Sequence, residues 1–83
     1  MNWYKVLGIA RHERNKRTIK RAYKKMALKW HPDKHQSKSP PEKQKAKEMF
    51  MKVGEAFEII SDPDLRRRYD HGEDHPKKRR GRF

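Results

Sequence analysis

An all-α domain built on an antiparallel pair of helices is the fold this chain predicts, and three observations predict it. Two stretches repeat their apolar residues at the helical period, proline and glycine punctuate the gaps, and no stretch alternates apolar and polar residues as a strand would. Size and composition agree. Eighty-three residues make one small domain, and with 31% hydrophobic and 42% charged residues the apolar set fills one thin core. That excludes a large buried active-site cleft. There is no cysteine, so disulfides, thiol nucleophiles and thiolate metal sites are excluded together. No apolar run approaches about 18 residues, and the N-terminus has no apolar segment behind a basic start. A soluble chain with neither a membrane span nor a signal peptide is expected.

The first element, Trp3 to Leu7, is too short to be stable alone and stops at Gly8, which accepts the left-handed conformation that ends helices. The second runs from Lys16 to Trp30 behind Asn15 as N-cap. Its apolar residues Ile19, Ala22, Tyr23, Met26, Ala27 and Trp30 form one stripe. Pro32 ends it, because the residue before a proline is pushed out of the α region. A polar loop, Asp33 to Ser39, follows. Ser39-Pro40-Pro41-Glu42 then has the form of a capping box, with Ser39 bonding the helix amides and Glu42 reaching back to the cap. The third element, Pro40 to Ile60, carries Ala46, Met49, Phe50, Val53, Ala56, Phe57 and Ile60 on one face. Paired with the second, it sets Tyr23, Met26 and Trp30 against Phe50, Val53 and Phe57, and this pair is expected to be the core. Asp62-Pro63 opens a short fourth helix through Tyr69, with Arg66, Arg67 and Arg68 as a cationic patch. Residues 1–72 form the expected domain and 73–83 a disordered basic tail, since no apolar periodicity follows Gly72.

Charge is the strongest feature. Lys plus Arg exceed Asp plus Glu by 24 to 11, a net charge of +13 that attracts polyanions or an acidic protein surface. The second helix concentrates it: Lys16, Arg17, Lys20, Arg21, Lys24, Lys25 and Lys29 face away from the apolar stripe, and the helix contains no acid. Like charges at i,i+4, as in Lys20/Lys24 and Arg21/Lys25, cost a few tenths of a kcal/mol per pair. A face kept under such self-repulsion suits an anionic partner. Leu28 lies about 180° from Ile19 on this helix, outside the apolar stripe, and is open either to a partner or to boundary packing. His31-Pro32-Asp33 closes the helix. Proline holds the loop in one shape, Asp33 offers an acceptor-only carboxylate suited to an arginine, and a ring hydrogen bond from His31 could orient the loop. His31/His35 and His71/His75 have i,i+4 spacing, but neither pair falls on a predicted helix or has a third ligand, so no metal and no cofactor is expected.

These residues carry a resemblance. Tyr4, Leu7-Gly8, Ile19, Ala22-Tyr23, Ala27-Leu28, His31-Pro32-Asp33-Lys34, Phe50, Glu55-Ala56, Ser61-Asp62-Pro63, Arg68-Tyr69-Asp70 and Gly72 together resemble the J domain of DnaJ-type co-chaperones over residues 2 to 72. The resemblance is specific because the tripeptide, both flanking helices and the closing segment arrive in order. It implies the J-domain fold, a helical hairpin flanked by two short helices. It also implies a function: binding an ATP-bound seventy-kilodalton heat-shock chaperone and stimulating its ATP hydrolysis, with no enzyme activity of its own. His31, Pro32 and Asp33 would trigger hydrolysis, and Lys20, Lys24 and Lys25 would meet an acidic surface of that partner. Arg21, Leu28 and Lys29 are added to the docking set by position.

Two departures stand out: the first helix begins Asn2-Trp3-Tyr4 where Asp-Tyr-Tyr is common, and Trp30 precedes the tripeptide. The Gly/Phe-rich stretch, zinc repeats and client-binding barrels of full DnaJ proteins are missing, so an isolated module or fragment is expected. Residues 53–57 and 69–74 most resemble the J domain that ends tetratricopeptide-repeat co-chaperones. A monomer in the cytoplasm or nucleus is expected, with the endoplasmic reticulum left open. The competing reading is a basic nucleic-acid-binding module, supported by +13 and by Lys77, Lys78, Arg79, Arg80 and Arg82. It has no need of His31-Pro32-Asp33, and weak, non-specific binding through the tail would coexist with the chaperone role.

Overall fold

The computed structural model describes residues 2–77 of the chain, and within them all regular structure is helical. Four α-helices follow in order: α1 (Trp3–Leu7), α2 (Lys16–Trp30), α3 (Pro40–Ser61) and α4 (Pro63–Asp70). Their ends are built by local chemistry. The Asn2 carboxamide oxygen accepts from the amides of Tyr4 and Lys5, Asn15 accepts from Arg17 and Thr18, and Asp62 accepts from Asp64 and Leu65. Each cap satisfies donors that the first turn leaves without partners. Gly8 stops α1 at φ 73°, where the amides of Gly8 and Ile9 bond back to Lys5 and Tyr4.

Ser39 departs from the expected capping box. Its hydroxyl donates to Glu42 Oε1 at 2.8 Å and makes no bond to the helix amides. Pro40 and Pro41 have already removed two of the orphan N–H groups, so little remains to cap, and the hydroxyl gains more as donor to a carboxylate. The loop after α2 is also more ordered than expected, because Pro32–His35 forms a turn of 3-10 helix.

α3 is the central element, with α1, α2, α4 and the 3-10 turn all packed against it. The core is therefore wider than the α2–α3 pair. Trp3, Tyr4 and Leu7 of α1 and Leu65 of α4 are buried with Val53, Ala56, Ile59 and Ile60 of α3, whereas α2 contributes Ile19 alone to the fully buried set. Tyr23, Met26, Trp30 and Phe57 pack on it half-buried, with Tyr23 stacked on Phe57 at 4.3 Å. Ile59 lies outside the stripe read from sequence. It is buried because α1 and α4 widen the covered arc of α3 towards its C-terminus.

The three arginines of α4 do not form a common patch. Arg66 is buried, at 6% exposure, with its guanidinium over the Tyr4 ring at 5.2 Å and one Nη donating to the Arg11 carbonyl. Arg68 is bonded to Glu73 and Asp64, and Arg67 is exposed and pairs with Asp64. Contacts also run past the expected boundary at 72. Trp3 Nε1 donates to the Asp74 carbonyl at 2.7 Å, the His75 ring meets Trp3 edge-on at 5.4 Å, and Pro76 is buried. Arg68 donates to the carbonyl of Lys77. The rest of the expected disordered tail, Lys78 to Phe83, lies outside the described residues.

Candidate partner-docking site

The end of α2 and the turn behind it are one rigid corner. His31 leaves the helix at ψ 133°, as the following proline demands, and its Nδ1 accepts the Asp33 amide at 3.2 Å. The Lys34 amide donates to the His31 carbonyl at 3.0 Å, closing the turn, and the His31 ring lies edge-on to Phe50 of α3. The Asp33 carboxylate is held out from this frame. Gln36 Nε2 donates to its Oδ1 at 3.2 Å, and its side chain is 76% exposed. The ring bond expected of His31 is thus present, with the ring as acceptor.

His35 is the residue sequence reasoning missed. Its spacing from His31 drew attention as a metal pair, yet it is buried and its Nε2 donates to the Lys29 carbonyl at 3.0 Å. That carbonyl is among the last four of α2, which have no partner inside the helix. The ring also stacks on Trp30 at 5.9 Å and 11°, and Lys29 Nζ sits 5.4 Å from the centre of the Trp30 ring. His35 therefore ties the turn to the helix it follows. The only sequence signal for this was a hydrogen-bonding side chain one turn past a proline-terminated helix. Among the described residues no group of three or more histidines or acids is placed to hold a metal ion. His75 instead faces Glu55, at 3.1 Å.

Along α2, Lys20, Arg21, Lys24, Lys25 and Lys29 are all exposed, and no ion pair among the described residues joins the first four to an acid. Leu28, 59% exposed, lies within this cationic arc. One apolar side chain ringed by unpaired cations, ending at a fixed carboxylate, is an arrangement that can recognise an acidic surface with a small apolar depression. The structure brings Asp33 and Lys29 to the same corner. Lys20 lies about 14 Å further along the helix axis, at a rise of about 1.5 Å per residue. No helix of the described residues is long and apolar enough to cross a membrane.

Known proteins match this arrangement over most of its length. Residues 2–70 match the family model of the DnaJ domain. DnaJ homolog subfamily C member 3 of Rattus norvegicus is 47% identical over 73 residues, which cover 88% of this chain and 14% of the rat protein. The DnaJ homolog subfamily C member 7 homolog of Dictyostelium discoideum is 42% identical over the same share of this chain. The chain thus spans about one seventh of the length of these relatives. Among solved structures, the J domain of the DnaJ homolog dnj-2 precursor from C. elegans superposes with a TM-score of 0.74 at 37% identity, covering 92% of this chain and 73% of that one. The J-Trx1 fragment of ERdj5 gives a TM-score of 0.71 at 38% identity, covering 90% of this chain and 36% of the fragment. The family match over residues 2–70, together with relatives and solved J domains of this similarity, makes this helical hairpin a J domain, a member of the DnaJ-domain family of co-chaperone modules.

Proposed function

We propose that this J domain docks on a seventy-kilodalton heat-shock chaperone in its ATP state and stimulates hydrolysis there, coupling client folding to the chaperone's cycle. The single observation that carries the reading is Asp33, an exposed carboxylate on a turn whose shape is held from three sides by His31, Pro32 and His35. The cations Lys20, Arg21, Lys24, Lys25 and Lys29 guide approach and orientation, and Leu28 supplies apolar contact within the patch. Asp33 then bonds a partner arginine. Because the turn is already ordered, little entropy is lost in forming that bond. Docking accelerates hydrolysis only so far as these contacts are stronger in the partner's hydrolysing state than in its resting one. The ATP chemistry belongs to the partner, and the module acts as a monomer without cofactor, metal or membrane. Its working unit is residues 2–77, and the cytoplasm, nucleus and endoplasmic reticulum all remain compatible addresses.

Asp33→Asn tests this. The amide keeps the size of the side chain and an oxygen for Gln36 but removes the charge. Single-turnover ATP hydrolysis by the chaperone is expected to fall to its unstimulated rate. The melting temperature should move by less than about 3 °C, as expected for an exposed site worth within about 0.5 kcal/mol. Full stimulation by the variant contradicts the assignment of Asp33.

A further inference from the structure

At the end of the hairpin opposite the His31–Asp33 turn, a groove of about 600 Å³ opens between the start of α2, the end of α3 and α4. Its floor is apolar: Phe57 and Pro63 reach solvent, with Ile19 and Ile60 beneath them. Its rim is cationic, with Arg14, Lys16 and Arg67 exposed around it, joined by Lys20 where it meets the proposed chaperone face. The one acid in the lining, Asp70, already accepts the Tyr4 hydroxyl at 2.6 Å. Arg66 forms part of the wall. It is 94% buried, and its Nε is a buried donor with no acceptor among the described residues. That donor is closed to solvent and its guanidinium is held over Tyr4 and on the Arg11 carbonyl, so Arg66 adds positive charge behind the wall, while the cations open to a ligand are those of the rim.

We propose that this groove is a second docking site, for an acidic segment of a partner protein carrying a bulky apolar side chain between aspartates or glutamates. The volume is that of a ligand site rather than a surface dimple, with room for a few residues of extended chain. The apolar side chain would lie on Phe57 and Pro63, and the flanking carboxylates would reach the exposed Arg14, Lys16 and Arg67. A bare polyanion matches the rim and leaves the floor unused, which is why a peptide is favoured over a nucleic acid. The groove lies about 20 Å along α2 from the turn at its other end, so occupancy of one does not require the other.

The probe is a fluorescein-labelled octapeptide with a Leu-Phe pair between three acids on each side, titrated into the full chain by anisotropy and by amide chemical shifts. Saturable binding is expected, with the largest shifts at Ile19, Ile60, Ser61 and His71 and small ones at Lys24, Lys25 and Asp33. Replacing the Leu-Phe pair by two serines should weaken binding at least tenfold. So should the exposed double substitution Arg14→Glu/Arg67→Glu, which lies outside the proposed chaperone face and should leave ATPase stimulation unchanged. Equal binding of the serine peptide, shifts centred on Lys24 to Asp33, or an oligothymidylate of matched charge binding as tightly at the same residues would each overturn the proposal.

Discussion

Tyr4 shows how much of this small domain hangs on single polar bonds. Its hydroxyl donates to Asp70 Oδ1 at 2.6 Å, joining α1 to the end of α4, and the Tyr69 hydroxyl accepts the Trp3 amide beside it. Burial first, and then the bond to Asp70, raise the Tyr4 pKa above its ordinary value. The folded chain therefore holds this proton more tightly than the unfolded chain does. Its contribution is whole below about pH 10 and is lost as pH rises through the raised value. Tyr4→Phe should cost about 1.5–3 kcal/mol at neutral pH, the usual worth of a bond to a charged acceptor. In urea melts the gap between the two proteins should narrow above about pH 10, lysine titration being common to both. A gap that stays constant to pH 11 would show that the phenol proton does not carry it.

Within elements, the competition is between helix stability and display. α2 is a poor helix by charge, and its repulsions persist because the cations find no acids among the described residues. Lys24→Glu with Lys25→Glu turns Lys20/Lys24, Arg21/Lys25 and Lys25/Lys29 into attractions, so the melting temperature should hold or rise slightly. The concentration for half-maximal ATPase stimulation should rise at low salt and depend less on salt, because the screened term has been removed. An unchanged half-maximal concentration at low salt would remove these lysines from the docking face. Gly8 makes the opposite point, since its role is wholly structural. At φ 73° a Cβ is strained, and one built there would sit 3.1 Å from Met26 Cε. Gly8→Ala should destabilise by about 1–2 kcal/mol in denaturant melts, mostly from the left-handed backbone, because the methionine end can move aside. A loss below about 0.5 kcal/mol would mean that the end of α1 frays without consequence.

For the whole molecule, the question is where the domain stops. Removing residues 73–83 would uncover the buried Trp3 indole, leave its Nε1 without the Asp74 carbonyl, and free Arg68 from Glu73 and Lys77. A loss of about 1–3 kcal/mol is expected, or several degrees in the melt. Removing only residues 78–83 should leave both melt and ATPase stimulation unchanged while lowering affinity for duplex DNA. The four cations lost, Lys78, Arg79, Arg80 and Arg82, should flatten the logarithmic salt slope by up to about 3.6. Equal melts for the two truncations would place residues 73–77 outside the folded unit. Loss of stimulation with the shorter deletion would bring the tail into the chaperone contact.

The helix ends were legible because caps act locally: Asn15, Gly8, Asp62 and the prolines operate on amides two to four residues away. The tripeptide with its basic helix was legible for a similar reason, since both lie on one continuous stretch whose spacing survives any packing. Charge sign and the all-helical class needed no partners either. Burial of Arg66 did not follow from Arg66-Arg67-Arg68, three like residues in a row, because Tyr4 and Arg11 decide which of them is covered, and they come from 55 or more residues away. His35 needed the orphaned Lys29 carbonyl and the Trp30 face, which come together only when the chain turns. The place of Asp74 to Lys77 was set by Trp3 and Arg68, whose polar groups take up that backbone as it returns past α1. Apolar periodicity tells which face of a helix turns inward. Which polar group is carried in with it depends on what lies opposite, and that is a property of the assembled fold.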